Sequence, residues 1–267
     1  KIISSSETDA DGTTISMPGF DDSQWVPARV PGTVAGALIE AGLLGDPLFS
    51  TNLQRTPGWT YSFLPMPEDS PYRVSWWYRT EFDVPAATDG ADRAVLVLEG
   101  INYAANVWVN GTLVTDRDHL AGTFREFGFD VTGYAPPGSR CAIAVEVFAP
   151  DIFADLSIYW VDWNPEPPDY NMGLWMPARL ELAGPVSITD PAVLADLDDT
   201  GGADLTLIVE ATNATATPVD FTLKAVLPEG EIEYPVSLAA GESRSIRLSG
   251  PDFPALRMDS PELWWPY

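Results

Sequence analysis

The sequence predicts an all-β protein made of two consecutive β-sandwich domains. Short runs of alternating apolar and polar residues, rich in β-branched and aromatic side chains, recur along most of the chain, as expected of strands with one buried face. The 25 prolines and 21 glycines are scattered between these runs, which indicates many turns rather than a disordered tract. A chain of 267 residues also exceeds the usual size of one domain, so two domains are expected.

Few secondary-structure elements are predicted in the first part of the chain. The opening stretch is polar and loop-like through Trp25. The first helix is predicted over residues 33–41, where Thr33 is placed to cap the amino terminus and Gly42 to end the helix. Few other helices are expected, because no other segment has a clear helical period.

Strand signals dominate from Tyr72 onward. In residues 74–82 (VSWWYRTEF), alternation places Trp76 and Tyr78 on one face of the strand and Trp77 on the other. A second strand is predicted at 93–99. Further strands at 106–109 and 112–114 flank an Asn-Gly pair suited to a type I′ hairpin turn, and another strand follows at 142–148.

A domain boundary is predicted near Gly184, so that the domains span residues 1–184 and 185–267. Beyond the boundary, apolar runs at 204–210, 221–227 and 245–248 recur about 15 to 25 residues apart, with Asn, Pro and Gly between them. This rhythm is typical of an immunoglobulin-like sandwich. The sequence ends soon after these runs, so the second sandwich is expected to be partial.

Composition excludes several classes of function. The formal net charge of −25 repels phosphate backbones and anionic lipid headgroups, so neither nucleic acid nor a membrane is an expected partner. An acidic or salt-adapted proteome would explain the same charge. The single cysteine, Cys141, lies in an alternating apolar strand and is expected to be a buried thiol. With His119 as the single histidine, the chain cannot form the usual soft metal cluster. No cofactor is expected.

The densest group of polar and aromatic side chains lies in residues 159–175 (YWVDWNPEPPDYNMGLW). Its prolines prevent a regular helix or a central strand, so a rigid loop is predicted. Carboxylates and amides bind sugar hydroxyl groups, and indole rings cover the apolar face of a pyranose. The candidate substrate-binding residues are Asp162, Trp163, Asn164, Asp169 and Asn171. Alternatively, the tryptophans plug one end of the sandwich.

An autonomous active site in this loop is not expected. Glycoside hydrolysis needs two carboxyl groups, about 5–5.5 Å apart in a retaining enzyme. Asp162 and Asp169 are the plausible pair, but no second acidic loop accompanies them. His119 is interpreted as a loop residue that forms local hydrogen bonds. No catalytic residue is therefore assigned to this chain.

Several ordered motifs together resemble the amino-terminal half of family 2 glycoside hydrolases. The block at 97–112 is similar to the family's sandwich hairpin, and FGFDVT at 127–132 matches its F-x-F-D-V-T strand. Further motifs are PGTV at 31–34, DPLF at 46–49, WYRTEF at 77–82 and LWWP at 263–266. The resemblance implies a jelly-roll, galactose-binding-like β-sandwich followed by the immunoglobulin-like one.

The resemblance also implies a function. Residues 161–175 look most like the exo-β-D-glucosaminidase branch, while the mannosidase branches carry a similar Asp-Trp followed by Gly-Ile-Trp. Members of the family keep their catalytic carboxylates in a (β/α)₈ (TIM) barrel, which nothing in this chain resembles. In the family, an acidic residue of the corresponding loop reaches into the barrel's active site, and the resemblance implies this role for Asp162. The expected partners are therefore a β-linked amino sugar or mannoside and the chain's own missing barrel.

Two other functions remain open at this stage. A free-standing carbohydrate-binding module would bind sugar by itself, whereas a structural or adhesive sandwich would bind none. The abrupt start at Lys1 would fit a removed signal peptide, so a secreted or periplasmic location is slightly favoured.

Overall fold

A computed structural model describes residues 1–60, 64–87, 90–158, 166–227, 230–250 and 252–265. The described chain falls into two compact units, Lys1–Leu182 and Ala183–Tyr267. It contains two short α-helices, α1 (Gly12–Ile15) and α2 (Val34–Glu40). The strands are β1 (Ile2–Ser4), β2 (Gly32–Thr33), β3 (Trp76–Asp83), β4 (Arg93–Leu98), β5 (Ala104–Val109), β6 (Thr112–Thr115), β7 (Phe127–Asp130), β8 (Arg140–Phe148), β9 (Gly173–Leu174), β10 (Ala178–Ala183), β11 (Val186–Leu197), β12 (Ala203–Asn213), β13 (Val219–Leu227), β14 (Gly230–Leu238), β15 (Ser243–Ser249) and β16 (Arg257–Met258).

The first unit is a sandwich of antiparallel sheets. Five strands follow the order β1-β3-β8-β5-β6, and three follow the order β10-β4-β7. The short pair β2–β9 joins the start of α2 to the end of the segment 159–175, called the Pro-rich segment below. The main apolar core draws on both sheets, for example through Tyr78 and Val145 from one and Leu96 and Leu98 from the other. The all-β fold class predicted from the sequence is confirmed.

The two faces of β3 were predicted correctly. Trp76 and Tyr78 belong to the core between the sheets, whereas Trp77 packs in a separate apolar cluster with Ile15 and Trp25. In this second cluster, apolar residues of the opening stretch pack on the outer face of the five-stranded sheet. The prediction that this stretch is a loop was wrong in part, because β1 pairs with β3 and α1 packs near the same face. Its few apolar residues are buried by partners distant in sequence.

Local signals placed the helix and the hairpin. Thr33 accepts a hydrogen bond from Gly36 N, so it caps α2 as predicted, and Gly42 has the positive φ of 74° that ends such helices. In the hairpin between β5 and β6, Asn110 and Gly111 have φ values of 47° and 85°. Both values are in the left-handed region that a type I′ turn requires.

The second unit contains a sheet with the order β11-β12-β15, to which β16 adds beside β12, and the pair β13–β14. Leu205, Leu207, Val209 and Ala211 alternate along β12 and are all buried in one apolar cluster. This period of two is the pattern from which a sandwich strand was predicted. No helix of the described residues is long and apolar enough to cross a membrane.

Candidate functional site

The predicted site residues divide into two groups. Asp162, Trp163 and Asn164 lie outside the residues that the structure describes. Asp169 and Asn171 are described and lie in the turn that leads into β9. The described part of the site therefore consists of two flanks. The first flank is Ile158, and the second flank is residues 166–174.

Backbone pairing attaches the second flank to the start of α2. Thr33 lies opposite Gly173 in the β2–β9 pair, and Val34 N donates to Met172 O at 2.9 Å. Gly173 has a φ of 152°, and a Cβ atom at this position would lie 2.6 Å from Gly32 O and from the Tyr78 hydroxyl. Only glycine allows this close approach without displacing backbone atoms.

Asp169 is fully buried at the amino terminus of α2. One carboxylate oxygen accepts a hydrogen bond from Ala35 N at 2.7 Å, and the other accepts one from Asn171 N at 3.0 Å. Burial raises the pKa of Asp169 to about 6, although these bonds, and one from the Thr33 side chain, act in the opposite direction. The positive end of the helix and its free N–H groups favour a carboxylate here. Its role as a substrate contact stays a prediction.

A cavity of about 350 Å³ lies between α2, residues 44–56 and the second flank. Glu166 and Asp169 both line it and are both buried. Its volume is within the range of small-ligand sites, which combine apolar walls with a few polar groups. The apolar part of the wall is formed by Ile39, Leu44, Leu48 and Leu53, and the polar part includes Thr33, Thr56 and Asn171. Two of the predicted site residues, Asp169 and Asn171, therefore line the cavity.

Sequence reasoning missed Asn102, which is fully buried beside the two flanks. Its Nδ2 donates toward three backbone carbonyl oxygens, those of Ile158 at 2.9 Å, Tyr170 at 2.9 Å and Asn171 at 3.1 Å. These acceptors are 56 to 69 residues away along the chain. The available signal was a polar residue within the largely apolar block 97–109, which also contains Glu99 and Asn106, and such a residue does not reveal its partners.

Cys141 and His119, which were interpreted from the sequence as a buried thiol and a loop residue with local hydrogen bonds, have these roles in the structure. Cys141 is a free, buried thiol whose pKa burial raises to about 11, so it is a poor nucleophile at neutral pH. His119 is exposed, and its Nδ1 lies 2.6 Å from Asp116 Oδ1. The described residues contain no group of three or more His, Cys, Asp or Glu side chains placed to hold a metal ion.

A family comparison matches residues 14–152 to the glycosyl hydrolase 2 galactose-binding domain-like family. This match covers more than half of the chain and lies within the first compact unit. It agrees with the jelly-roll fold and with the motifs at 31–34, 77–82, 97–112 and 127–132.

Similar proteins extend the match through the second unit. The exo-beta-D-glucosaminidase of Amycolatopsis orientalis is 33% identical over 266 residues, covering 99% of this chain and 24% of that protein. The exo-beta-D-glucosaminidase of Streptomyces avermitilis is 31% identical over 99% of this chain and 28% of its own length. The crystal structure of the Amycolatopsis orientalis exo-chitosanase CsxA superimposes with a TM-score of 0.86 at 32% identity, over 99% of this chain and 29% of that one. The chain therefore spans about a quarter of the length of these relatives.

Proposed function

The chain belongs to glycosyl hydrolase family 2, and from this membership we propose that it is the non-catalytic front part of an exo-β-D-glucosaminidase. The observation that carries the proposal is the unbroken similarity to such enzymes, which runs through 99% of the chain and both compact units. In this proposal, the catalytic carboxylates belong to a barrel domain outside the chain. The jelly-roll unit supplies one wall of the substrate pocket.

The described flanks support a role as a pocket wall. Two rigid attachments, the β2–β9 pair and the buried Asp169, fix the segment that follows the predicted contact residues. Beside the cavity, Leu43, Leu48 and Phe49 are 62%, 83% and 69% exposed. Exposed apolar side chains grouped in this way are suited to cover by another domain. A barrel packed on this face would lie beside the cavity that Asp169 and Asn171 line.

The chemistry of the candidate residues suits an amino sugar. A β-linked glucosamine carries an ammonium group and several hydroxyl groups, and a carboxylate can accept hydrogen bonds from both kinds of group. Asp162 is proposed to make this contact, with Asn164, Asp169 and Asn171 as further polar contacts and Trp163 covering the sugar's apolar face. A β-mannoside lacks the ammonium group, so an acidic contact favours the amino sugar.

The test is Asp162→Ala in the full-length protein that contains this chain. Charge-assisted hydrogen bonds contribute about 1.5–3 kcal/mol, so kcat/KM for an aryl β-D-glucosaminide should fall by roughly one to two orders of magnitude. The melting temperature should not change. Asp118→Ala, which removes an exposed carboxylate from another loop, is the control and should retain full activity. Unchanged activity in Asp162→Ala would refute the contact.

A free-standing carbohydrate-binding module is distinguished by a direct measurement. Calorimetric titration of the isolated chain with glucosamine and mannose oligomers should give no heat of binding, because one wall of a pocket offers too few contacts. Measurable affinity would favour the binding module instead.

A further inference from the structure

The side chain of Asn102 joins the two ends of the Pro-rich segment. The carbonyl of Ile158 lies at the end of the first flank, and the carbonyls of Tyr170 and Asn171 lie in the second. All three accept from the same nitrogen, Nδ2, whose two hydrogens are shared among them. The distance between the two flanks is therefore set by one amide group.

Thr123 fixes the orientation of this amide. The Thr123 hydroxyl, itself buried, donates to Asn102 Oδ1 at 2.7 Å. Because the oxygen is held there, Nδ2 must point toward the flanks. The backbone of Asn102 is held as well, since its N–H and C=O pair with the C=O and N–H of Gly173 at 2.9 Å. Trp175 Nε1 in turn donates to Thr123 O at 3.0 Å.

A second attachment, through Asp169, acts on the same turn. Asp169 bonds to Ala35 N at the start of α2 and to Asn171 N within the turn. Asn171, with a φ of 55°, is thus held through its N–H by Asp169 and through its C=O by Asn102. A turn held at both backbone groups of one residue has little freedom to move.

We propose that Asn102, oriented by Thr123, is a positioning residue for the substrate wall. It fixes the spacing between Ile158 and the turn 169–171, which are the two described ends of the segment that carries Asp162. This inference rests on the proposed function, because the segment carries Asp162. Loss of the amide removes the donor that the three carbonyl oxygens share, and the two flanks separate. These carbonyls then bond to water or to other donors.

The second unit contains a matched control for this amide. Asn213 is also fully buried, and its Nδ2 donates toward the carbonyl oxygens of Thr217, Leu238 and Ala239. Its Oδ1 accepts from Thr215. Asn213→Ala therefore removes an equivalent set of bonds from a turn that carries no proposed substrate contact.

The experiment compares Asn102→Ala with Asn213→Ala in the full-length protein, at a temperature where both are folded. Asn102→Ala should lower kcat/KM for an aryl β-D-glucosaminide at least tenfold, while Asn213→Ala should stay within twofold. Hydrogen exchange of peptides covering 166–172 should be faster only in Asn102→Ala. Thr123→Val should share the defect, and Thr123→Ser, which keeps the hydroxyl, should restore most of the activity.

The outcomes separate this inference from the function on which it rests. Equal losses of activity in both Asn→Ala variants, or unchanged exchange at 166–172, would overturn the positioning role of Asn102. Full activity of Asn102→Ala beside an impaired Asp162→Ala would overturn it too. If Asp162→Ala is fully active while Asn102→Ala speeds exchange at 166–172 and lowers kcat/KM, the substrate contact fails and the positioning role stands.

Discussion

Asp169 shows how a single buried charge sets the pH response of this region. Its carboxylate lies where water is excluded, and burial raises the pKa of Asp169 to about 6. An acid whose folded pKa lies above its unfolded value binds more protons when folded. Its contribution to stability is complete below about pH 4 and is lost as pH rises through about 6. Burial of Asp169 therefore costs the folded state least in mildly acidic solution, where the carboxyl group is protonated.

This behaviour is measurable as a difference between two proteins. The side chain at this position cannot titrate in Asp169→Asn. The free energy of unfolding of wild type, relative to that of the variant, should therefore rise as pH falls from 7 to 5. The expected gain is about 1 kcal/mol, or roughly 2–4 °C in melting temperature. Paired thermal melts at pH 7, 6 and 5 measure it. A constant difference across this range would show that Asp169 has an ordinary pKa.

Arg79 is a buried cation of the first unit, and its side chain is 2% exposed. It bonds to Asp22 at 2.7 Å, to Glu81 at 2.6 Å and to the carbonyl of Ile15 at 2.8 Å, and so ties the opening stretch to β3. Its removal takes a charged donor from the carbonyl of Ile15 and one of two cations from each carboxylate, since Asp22 also bonds to Lys1 and Glu81 also bonds to Arg140.

Arg79→Met should therefore cost roughly 3–5 kcal/mol of unfolding free energy. Urea unfolding followed by tryptophan fluorescence measures this, because most tryptophans lie in the first unit. Arg244→Met removes an exposed pair with Glu242 and should leave the midpoint unchanged. Comparable effects of the two variants would mean that burial adds nothing at Arg79.

Residues like these mark the limit of prediction from sequence. Asn102 bonds to carbonyls 56 to 69 residues away and Arg79 bonds to Asp22, which is 57 residues away, and no local pattern reveals such pairings. Asp169 was recognised as a functional candidate because it lies in a conspicuous polar loop, but its attachment to Ala35 across 134 residues was not foreseen. Side-chain type could be predicted from the sequence, whereas orientation depends on the assembled fold.

At the scale of elements, local chemistry was sufficient. Helix α2, the β5–β6 hairpin and the faces of β3 follow from a cap, a turn dipeptide and a period of two, all of which act within a few residues. Strand β1 was missed because it is three residues long and is stabilised by pairing with β3. Short edge elements owe their conformation to neighbours, so their own sequence carries little signal.

The hairpin turn offers a test of one such local signal. Asn110 adopts a φ of 47°, its Nδ2 donates to the carbonyls of Tyr134 and Arg140, and its Oδ1 accepts from Ala142 N. Asn110→Ala loses these bonds and adds strain in the left-handed region, so unfolding free energy should fall by roughly 2–3 kcal/mol. Asn110→Gly loses the bonds alone and should cost less. Equal losses in thermal melts would show that backbone conformation is irrelevant here.

At the scale of the whole molecule, the two units differ in how they bury apolar surface. Among the residues that the structure describes, the main core cluster of the second unit has 12 buried residues, against 26 in the first, so less hydrophobic burial stabilises the second unit. Its strand β11 lies at a sheet edge, where Val193, Leu194 and Leu197 are each about half exposed. An edge strand of this kind is prone to opening.

The second unit should therefore be the less stable one in the isolated chain. Native-state hydrogen exchange in increasing urea should release the amides of β11–β16 before those of β3 and β8, with β11 exchanging ahead of β12. The same urea dependence in both units would contradict the difference in core size as its cause.

In the proposed function, this chain shapes one wall of a sugar pocket, and the catalytic carboxylates lie in a separate barrel domain. The most direct measurement compares the turnover of an aryl β-D-glucosaminide and an aryl β-D-mannoside by the isolated chain and by the full-length protein. The isolated chain should show no turnover above background, and the full-length protein should hydrolyse the glucosaminide in preference to the mannoside. Turnover by the isolated chain that disappears in Asp162→Asn would contradict the account, because it would place the catalytic carboxylate in this chain.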